Sequence, residues 1–90
     1  MKFEYDPQKS QGNKEKHGID FDASKALWLD PGAIEAKAHS EAEPRLVVVG
    51  KIQGIFWTAI ITYRNGAVRI ISVRRSRKNE VLHYERINHG

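Results

Sequence analysis

The sequence predicts a single α+β domain in which helices pack on an antiparallel sheet. Three β-rich runs between residues 45 and 75 are separated only by short turns that contain glycine, which indicates a meander of neighbouring strands. Two stretches bounded by helix-start and helix-stop residues precede these runs, and one follows them. The predicted order is therefore β-α-α-β-β-β-β-α. A chain of 90 residues buries one core, so we expect residues 1–90 to form one domain.

The composition is that of an ordinary globular protein with an excess of positive charge. Fifteen Lys and Arg against eleven Asp and Glu give a net charge of +4, which favours polyanionic partners. The chain has no cysteine, so disulfides and thiolate metal sites are excluded. The first residues lack the apolar stretch of a signal peptide, and the longest apolar-rich run, residues 55–61, is too short to span a bilayer. We therefore expect a cytoplasmic protein that makes no membrane contact.

The first third of the chain is predicted to hold a short strand and two helices. Residues 2–5 alternate between polar and aromatic side chains, which is typical of a strand. The first helix is predicted over residues 7–17, because Asp6 followed by proline is a strong start and Gly18 is a natural stop. Asp22 is the predicted N-cap of the second helix, which ends before an Asp-Pro pair.

The first predicted helix has no apolar stripe. Residues 8–17 contain no apolar side chain apart from the stems of the lysines, so an ordinary hydrophobic face cannot hold this helix on the domain. A solvated surface helix accounts for most of its charges. Lys9, Asn13 and Lys16 nevertheless share one polar face through their i, i+4, i+7 spacing, with His17 alongside. This face is a candidate surface for a partner.

The remaining strands follow in sequence. Residues 33–39 alternate and predict a short outer strand, and residues 40–44 predict an acidic loop. The runs 45–51, 55–64 and 67–75 predict the three strands of the meander.

The turn between the last two strands sets their predicted register. Asn65 followed by glycine between two β-rich runs is a strong signal for a two-residue hairpin turn. Regular pairing from this turn places Ala59 opposite Ser72 and Trp57 opposite Arg74. Both faces of the hairpin are apolar in the middle, so we expect the hairpin to be central and covered on both sides.

A cluster of cations joins the last strand to the last helix. Arg74 and Arg75 end the strand and are predicted to point to opposite faces of the sheet. Ser76 is the predicted N-cap of the helix, which puts Arg77 and Lys78 at its first two positions. The N-terminus of a helix favours anions, so these cations need an anion among them. Arginines at a helix N-terminus form a ready phosphate site.

Taken together, these residues resemble those of the BrnT toxins over nearly the whole chain. The order and spacing of the shared residues are specific only in combination; they are Phe3-Glu4-Tyr5-Asp6, Lys9, Asn13, Lys16-His17-Gly18, Phe21, Asp30-Pro31, Glu43 with Arg45, Gly50, Arg64, residues 69–76, Glu80 and Tyr84. The sequence departs from the family pattern at Tyr5, Trp28, Val73 and Val81. None of these departures is at the basic end of the last strand.

The resemblance implies a function and a set of partners. It implies a fold similar to that of the RelE-type toxins and a metal-independent endoribonuclease that cleaves RNA, arrests translation and stops growth. It also implies a BrnA-like antitoxin that neutralises the toxin in a hetero-oligomer. That antitoxin would bind operator DNA and repress the shared operon. The toxin is therefore expected to contact operator DNA only through the antitoxin. No cofactor and no metal ion are implied.

Metal-free RNA cleavage needs a group that takes the 2′-hydroxyl proton, cations for the developing charge and an acid for the leaving oxygen. Arg74 and Arg75 are the first candidates for phosphate, because guanidinium binds phosphate through two hydrogen bonds. His17 is the acid–base candidate by its ordinary pKa, although it is equally suited to capping the first helix. Glu80 and Tyr84, one helical turn apart, are candidates for a base and a phenol. An ion pair between Glu80 and a strand arginine is the structural alternative.

The remaining cations and one amide are candidates for RNA contact. These candidate RNA-binding residues are Lys9, Asn13, Lys16, Arg64, Arg69, Arg77 and Lys78. Exposed residues of a solvated surface, or an antitoxin interface, are the alternatives. His83 and His89 are expected to face elsewhere, and no pair of histidines has the spacing of a zinc site.

A second functional class uses the same cations. A non-catalytic basic module, including an inactive toxin that acts only as a co-repressor, binds nucleic acid or a protein without any acid–base group. Cleavage of RNA separates this class from the ribonuclease.

Overall fold

The computed structural model describes residues 1–38 and 44–90, and the predicted acidic loop therefore lies largely outside the described residues. The described chain forms a five-stranded sheet and three α-helices. In chain order these elements are β1 (Phe3–Glu4), α1 (Pro7–His17), α2 (Phe21–Ser24), a 3-10 helix (Lys25–Leu29), β2 (Ile34–Ala38), β3 (Arg45–Ile52), β4 (Ile55–Arg64), β5 (Ala67–Arg75) and α3 (Lys78–His89). The predicted α+β class and the predicted order of elements are confirmed.

The sheet is mixed and not purely antiparallel. Its strand order is β1-β5-β4-β3-β2, and the four strands from β2 to β5 pair antiparallel as the predicted meander. The short β1 pairs parallel to β5, with Phe3 opposite Val68. The chain therefore begins at the edge of the sheet next to its last strand, and this position brings α1 close to β5.

One face of the sheet carries the main core. The second predicted helix packs here, but it is a short α-helix followed by a 3-10 helix, and its N-cap is Asp20 and not Asp22. The Asp20 carboxylate accepts a hydrogen bond of 2.7 Å from the Ala23 N–H, which places Phe21 at the first helical position. Phe21 and Leu27 are fully buried against the strands.

The opposite face is only partly covered, by α3. Tyr84 of α3 is 5% exposed and packs edge-to-face on Phe56, with ring centroids 5.0 Å apart. The Tyr84 hydroxyl donates a hydrogen bond of 2.9 Å to the Asp30 carboxylate. A Cβ atom at Gly32 would lie 2.6 Å from this hydroxyl oxygen, so the backbone approaches α3 here in a way that only glycine permits.

Helix α1 lies along β5 with no apolar side chain after Pro7, and polar side chains hold it there. Asn13 is 8% exposed, and its amide group donates a hydrogen bond to the Val73 carbonyl and accepts one from the Val73 N–H, at 2.9 and 3.2 Å. The Ser10 hydroxyl, also buried, accepts a hydrogen bond from the Phe21 N–H at 2.8 Å. Asn13 therefore acts as a short substitute for a neighbouring strand and satisfies backbone groups at the edge of β5.

The predicted register between β4 and β5 is wrong beyond the middle of the hairpin. The pairs next to the turn are as predicted, but the pairing passes from Ile70 to Ser72 and leaves Ile71 as the extra residue of a β-bulge. Ala59 therefore lies opposite Val73, and not opposite Ser72.

Burial explains the bulge. Without it, the alternation of side chains would turn Val73 away from the core and turn the following arginine into the core. With it, Val73 is fully buried in the main core. Thr58 and Trp57 then pair with Arg74 and Arg75, so Trp57 faces Arg75 and not Arg74.

Within the described residues, no helix is both long enough and apolar enough to cross a membrane.

Candidate functional site

A cavity lies on the face of the sheet that α3 covers only in part. We call it the sheet groove; it has a volume of about 450 Å³ and is bounded by four strands and the first half of α3. Its apolar floor consists of Ile34, Ala36, Ala38, Val47, Val49 and Ile60. Its polar wall consists of Lys37, Arg74, Arg77, Asn79, Glu80 and His83. A cavity of this size accepts a small ligand or one unit of a larger one.

An ion pair between Arg74 and Glu80 forms the centre of the polar wall. The two guanidinium nitrogens of Arg74 donate to the two carboxylate oxygens of Glu80, at 2.8 and 2.9 Å. The Glu80 carboxylate also accepts a hydrogen bond of 3.0 Å from the Thr58 hydroxyl, which in turn lies 2.8 Å from the Ser76 hydroxyl. The predicted alternative for Glu80, an ion pair with a strand arginine, is therefore present.

These contacts hold Glu80 in its charged form. Burial alone would raise the pKa of its carboxyl, but hydrogen bonds from Arg74, the Arg77 N–H and Thr58 together lower the pKa to about 2. In the same pair, the hydrogen bond to Glu80 raises the pKa of the Arg74 guanidinium above its ordinary value, against the opposing effect of burial. Neither residue changes its charge near neutral pH, so this pair positions groups and does not transfer protons.

The N-terminus of α3 differs by one residue from the prediction. Its N-cap is Arg77 and not Ser76, so Lys78 is the first helical residue and Glu80 the third. The Glu80 carboxylate accepts a hydrogen bond of 2.7 Å from the Arg77 N–H and so satisfies an N–H group that the helix leaves unpaired. Glu80 is thus an anion supplied by the chain itself to the cationic end of the helix.

A second cavity, which we call the basic cleft, has a volume of about 190 Å³. It brings together cations that are distant in sequence: Lys9, Arg45, Arg64 and Arg69. No described residue lining the cleft is an aspartate or a glutamate; outside the cleft lining, the Glu4 carboxylate lies 3.3 Å from the Arg69 guanidinium. This arrangement favours an anion in the cleft.

The groove and the cleft lie side by side on the same face of the sheet. Ile60 lines the groove and Thr62 lines the cleft. These residues are two apart in β4, so their side chains point to the same face. Thr62 pairs with Arg69 and Thr58 pairs with Arg74, so β5 contributes an arginine to each cavity. One extended polyanion lying along this face can contact both.

Several predicted site residues lie outside both cavities. Asn13 is buried between α1 and β5, whereas Lys16 is exposed and His17 is half-buried at the end of the same helix. Arg75 lies on the other face of the sheet, with its guanidinium carbon 5.6 Å from the centroid of the Trp57 ring.

Two further predicted residues, both on α3, also lie outside the cavities. Lys78 is exposed at the start of the helix. Tyr84 is buried, and its pKa is raised by burial and by its hydrogen bond to Asp30.

The predicted position of His83 is wrong. It was expected to face elsewhere, yet it lines the sheet groove together with Arg74, Arg77 and Glu80. The signal was present in the spacing: His83 follows Asn79 by four residues and Glu80 by three, so the three side chains share a face of α3.

Metal ligands do not gather in the part of the chain that the structure covers. Within residues 1–38 and 44–90, no three His, Asp or Glu side chains lie close enough together to hold a metal ion.

Comparison with known proteins places the chain in a family context. A family model described as the ribonuclease toxin BrnT of type II toxin–antitoxin systems matches residues 5–80. The match covers the cations of the basic cleft together with Arg74, Arg77 and Glu80, and it ends before His83. None of the curated proteins matches the chain.

Proposed function

Since the chain belongs to the BrnT family of ribonuclease toxins of type II toxin–antitoxin systems, we propose that it cleaves RNA without a metal ion and that cleavage takes place in the sheet groove. The observation that carries this proposal is the single sheet face on which arginines from separate elements line two adjoining cavities. RNA is a polyanion whose backbone needs several cations in a row, and this face offers them.

Arg74 and Arg77 hold the phosphate to be cleaved. A guanidinium group carries five N–H donors. In Arg74, three of them donate hydrogen bonds, two to the Glu80 carboxylate and one to the Arg75 carbonyl. Two remain for a ligand, and Glu80 fixes their direction. Arg77 is exposed at the N-terminus of α3, where the helix dipole adds to its positive charge.

The basic cleft binds the RNA backbone beside the cleavage point. Lys9, Arg64 and Arg69, all expected to contact RNA, lie together there with Arg45. The proposal gives no direct role in cleavage to His17, Arg75 or Tyr84, which lie outside the groove.

The protein partner is a BrnA-like antitoxin, as expected for a type II system. We propose that this antitoxin binds the toxin in a hetero-oligomer, stops cleavage, and represses the operon that encodes both proteins by binding its operator DNA. The toxin itself is then in contact with the operator only through the antitoxin.

Cleavage of RNA by the purified protein in the presence of a chelator tests the proposed activity. We expect wild-type protein to cut a single-stranded RNA under these conditions and expression of the chain alone to stop bacterial growth. Arg77→Gln should slow cleavage at least about tenfold, which corresponds to ~1.4 kcal/mol of transition-state stabilisation. The expected loss follows from removal of a cation that faces the phosphate.

Lys14→Gln is the matched control, because Lys14 is an exposed cation on α1 that lines neither cavity. Intact RNA together with harmless expression would overturn the ribonuclease. Binding of RNA without any cleavage would instead favour the non-catalytic module.

A further inference from the structure

Cleavage of RNA without a metal ion requires a group that can both take up and release a proton near neutral pH, and Glu80 does not meet this requirement. Its pKa of about 2 keeps it charged, and Arg74, Arg77 and Thr58 already occupy its oxygens. The arginines of the groove stay protonated at any physiological pH, and an ordinary lysine loses its proton only near pH 10.

We propose that His83 is the acid–base residue of the cleavage reaction. This inference rests on the proposed ribonuclease function and assigns a catalytic residue within its groove. Among the described residues that line the groove, His83 is the one whose side-chain type ordinarily titrates near neutral pH. His17, the residue favoured by the sequence, sits at the far end of α1 and lines neither cavity.

The position of His83 suits this role. It lies one helical turn beyond Glu80 on the same face of α3, so its imidazole borders the same space as the arginines of the polar wall. His83 is exposed, and no other described residue forms a hydrogen bond with its ring. Both ring nitrogens are thus accessible to a nucleotide in the groove.

The charged groups that face His83 come from three elements. They are Lys37 of β2, Arg74 of β5, and Glu80 of α3 together with Arg77 at its N-cap. The parts of β3 and β4 that line the groove contribute the uncharged Val47, Val49 and Ile60. These apolar side chains keep water from the floor of the groove and strengthen the electrostatic interactions above it.

The chemical step needs no other reactant. The neutral imidazole of His83 takes the proton from a ribose 2′-hydroxyl while the 2′-oxygen forms a bond to phosphorus. The bond from phosphorus to the 5′-oxygen breaks, and the imidazolium returns the same proton to that oxygen. The products are a 2′,3′-cyclic phosphate and a free 5′-hydroxyl, and the proton count is unchanged. Arg74 and Arg77 stabilise the additional charge on the phosphate oxygens during this step.

The test compares full-length histidine variants on one short single-stranded RNA in the presence of a chelator. We expect His83→Gln to slow cleavage about 100-fold or more, the usual contribution of a general acid–base group. Its dissociation constant for the same RNA made with 2′-deoxy sugars should stay within about threefold of wild type, because His83 is not expected to carry the binding.

Two further readouts separate catalysis from a structural role. The pH–rate profile of the wild type should lose an inflection in His83→Gln, and added imidazole should restore part of the activity of His83→Ala. His89→Gln, at the exposed end of the same helix, is the matched control and should keep the wild-type rate and profile.

Each outcome either supports or overturns the assignment of His83. Wild-type cleavage with an unchanged rate or profile in His83→Gln overturns the assignment of His83 and leaves the ribonuclease standing. Loss of the inflection in His17→Gln instead of His83→Gln also overturns it. A wild-type protein that cuts no RNA overturns both proposals.

Discussion

At the scale of single residues, Glu80 compensates part of the positive charge around the start of α3. The sequence places Arg74, Arg75, Arg77 and Lys78 at the positive end of α3, where they repel one another. The Glu80 carboxylate neutralises Arg74 and bonds to the Arg77 N–H in the same position. The chain therefore supplies an internal anion, which pairs with the Arg74 side chain and with the backbone N–H at the N-cap, whereas the side chains of Arg75, Arg77 and Lys78 remain exposed.

Replacement of this carboxylate should change the dependence of stability on pH. The pKa of Glu80 is about 2 in the folded protein and 4.5 ordinarily, so the unfolded chain binds more protons between these values. Its stabilising contribution is complete above about pH 4.5 and is lost as the pH falls through about 2. We expect Glu80→Gln to lower the free energy of unfolding by about 2 kcal/mol at pH 7 and to flatten its fall toward low pH.

Denaturant unfolding at several pH values between 7 and 2 measures this change. Glu85→Gln, an exposed carboxylate on the same helix, is the control and should leave the profile unchanged. The pKa of Asp30 is also below its ordinary value, because hydrogen bonds from Lys51, Gly32 and Tyr84 outweigh the effect of burial. The free energy of unfolding of Glu80→Gln should therefore still decrease somewhat toward low pH. A variant profile parallel to that of the wild type would contradict the role given to Glu80.

At the scale of elements, α1 shows that a helix does not need an apolar stripe to dock. It lies against the exposed edge of β5, where the pairing groups are backbone N–H and C=O groups and not side chains. Asn13 offers one donor and one acceptor and satisfies both groups of Val73. The same contact fixes β5 immediately before Arg74, so the polar helix also positions the cationic end of the strand.

Removal of the Asn13 side-chain amide should destabilise the contact between α1 and β5. Asn13→Ala leaves buried polar groups of Val73 without partners, and we expect it to lower the free energy of unfolding by about 2 kcal/mol or more. Amide hydrogen exchange at Val73 should become faster, because its N–H no longer has an acceptor. Gly12→Ala, on the same helix with open space around the added methyl group, is the control and should be neutral or slightly stabilising. Unchanged exchange at Val73 would count against this account of α1.

At the scale of the whole molecule, one sheet face collects residues from nearly every element. The basic cleft receives cations from α1, β3, β4 and β5, and the sheet groove receives its polar wall from β2, β5 and α3. The opposite face is filled by the main core. This division leaves the partly covered face as the surface on which the clustered cations are presented.

The salt dependence of RNA binding should report how many cleft cations contact phosphate. For single strands, the logarithm of the binding constant falls with the logarithm of salt concentration by about 0.7 per phosphate contact. We expect Lys9→Gln to reduce this slope by about that amount, and Lys14→Gln, on the same helix but outside the cleft, to leave it unchanged. Fluorescence anisotropy with a non-cleavable RNA gives the slope. Equal slopes for both variants would contradict backbone binding in the cleft.

Local chemistry in the sequence was sufficient for the elements and their order. Asp6 with the following proline and Gly18 bounded α1 correctly, and Asn65 with glycine placed the hairpin turn, because these signals act within a few residues. The cationic end of β5 was equally visible. The BrnT resemblance found in those residues was confirmed by the family match over residues 5–80.

Tertiary packing decided how those elements present their side chains. The bulge at Ile71 exists because Val73 must enter the core, and it shifts the β4 partners of Arg74 and Arg75 by one residue. The Asn13 side chain points toward the domain because it bonds to backbone groups at the edge of β5, which is distant in sequence. The sequence by itself therefore determined the fold class and the cationic strand end, which depend on local residues, and the family, which depends on the order and spacing of residues along the chain. Only the tertiary structure decided which cations share a cavity and that His83 joins them, because those relations depend on contacts between distant parts of the chain.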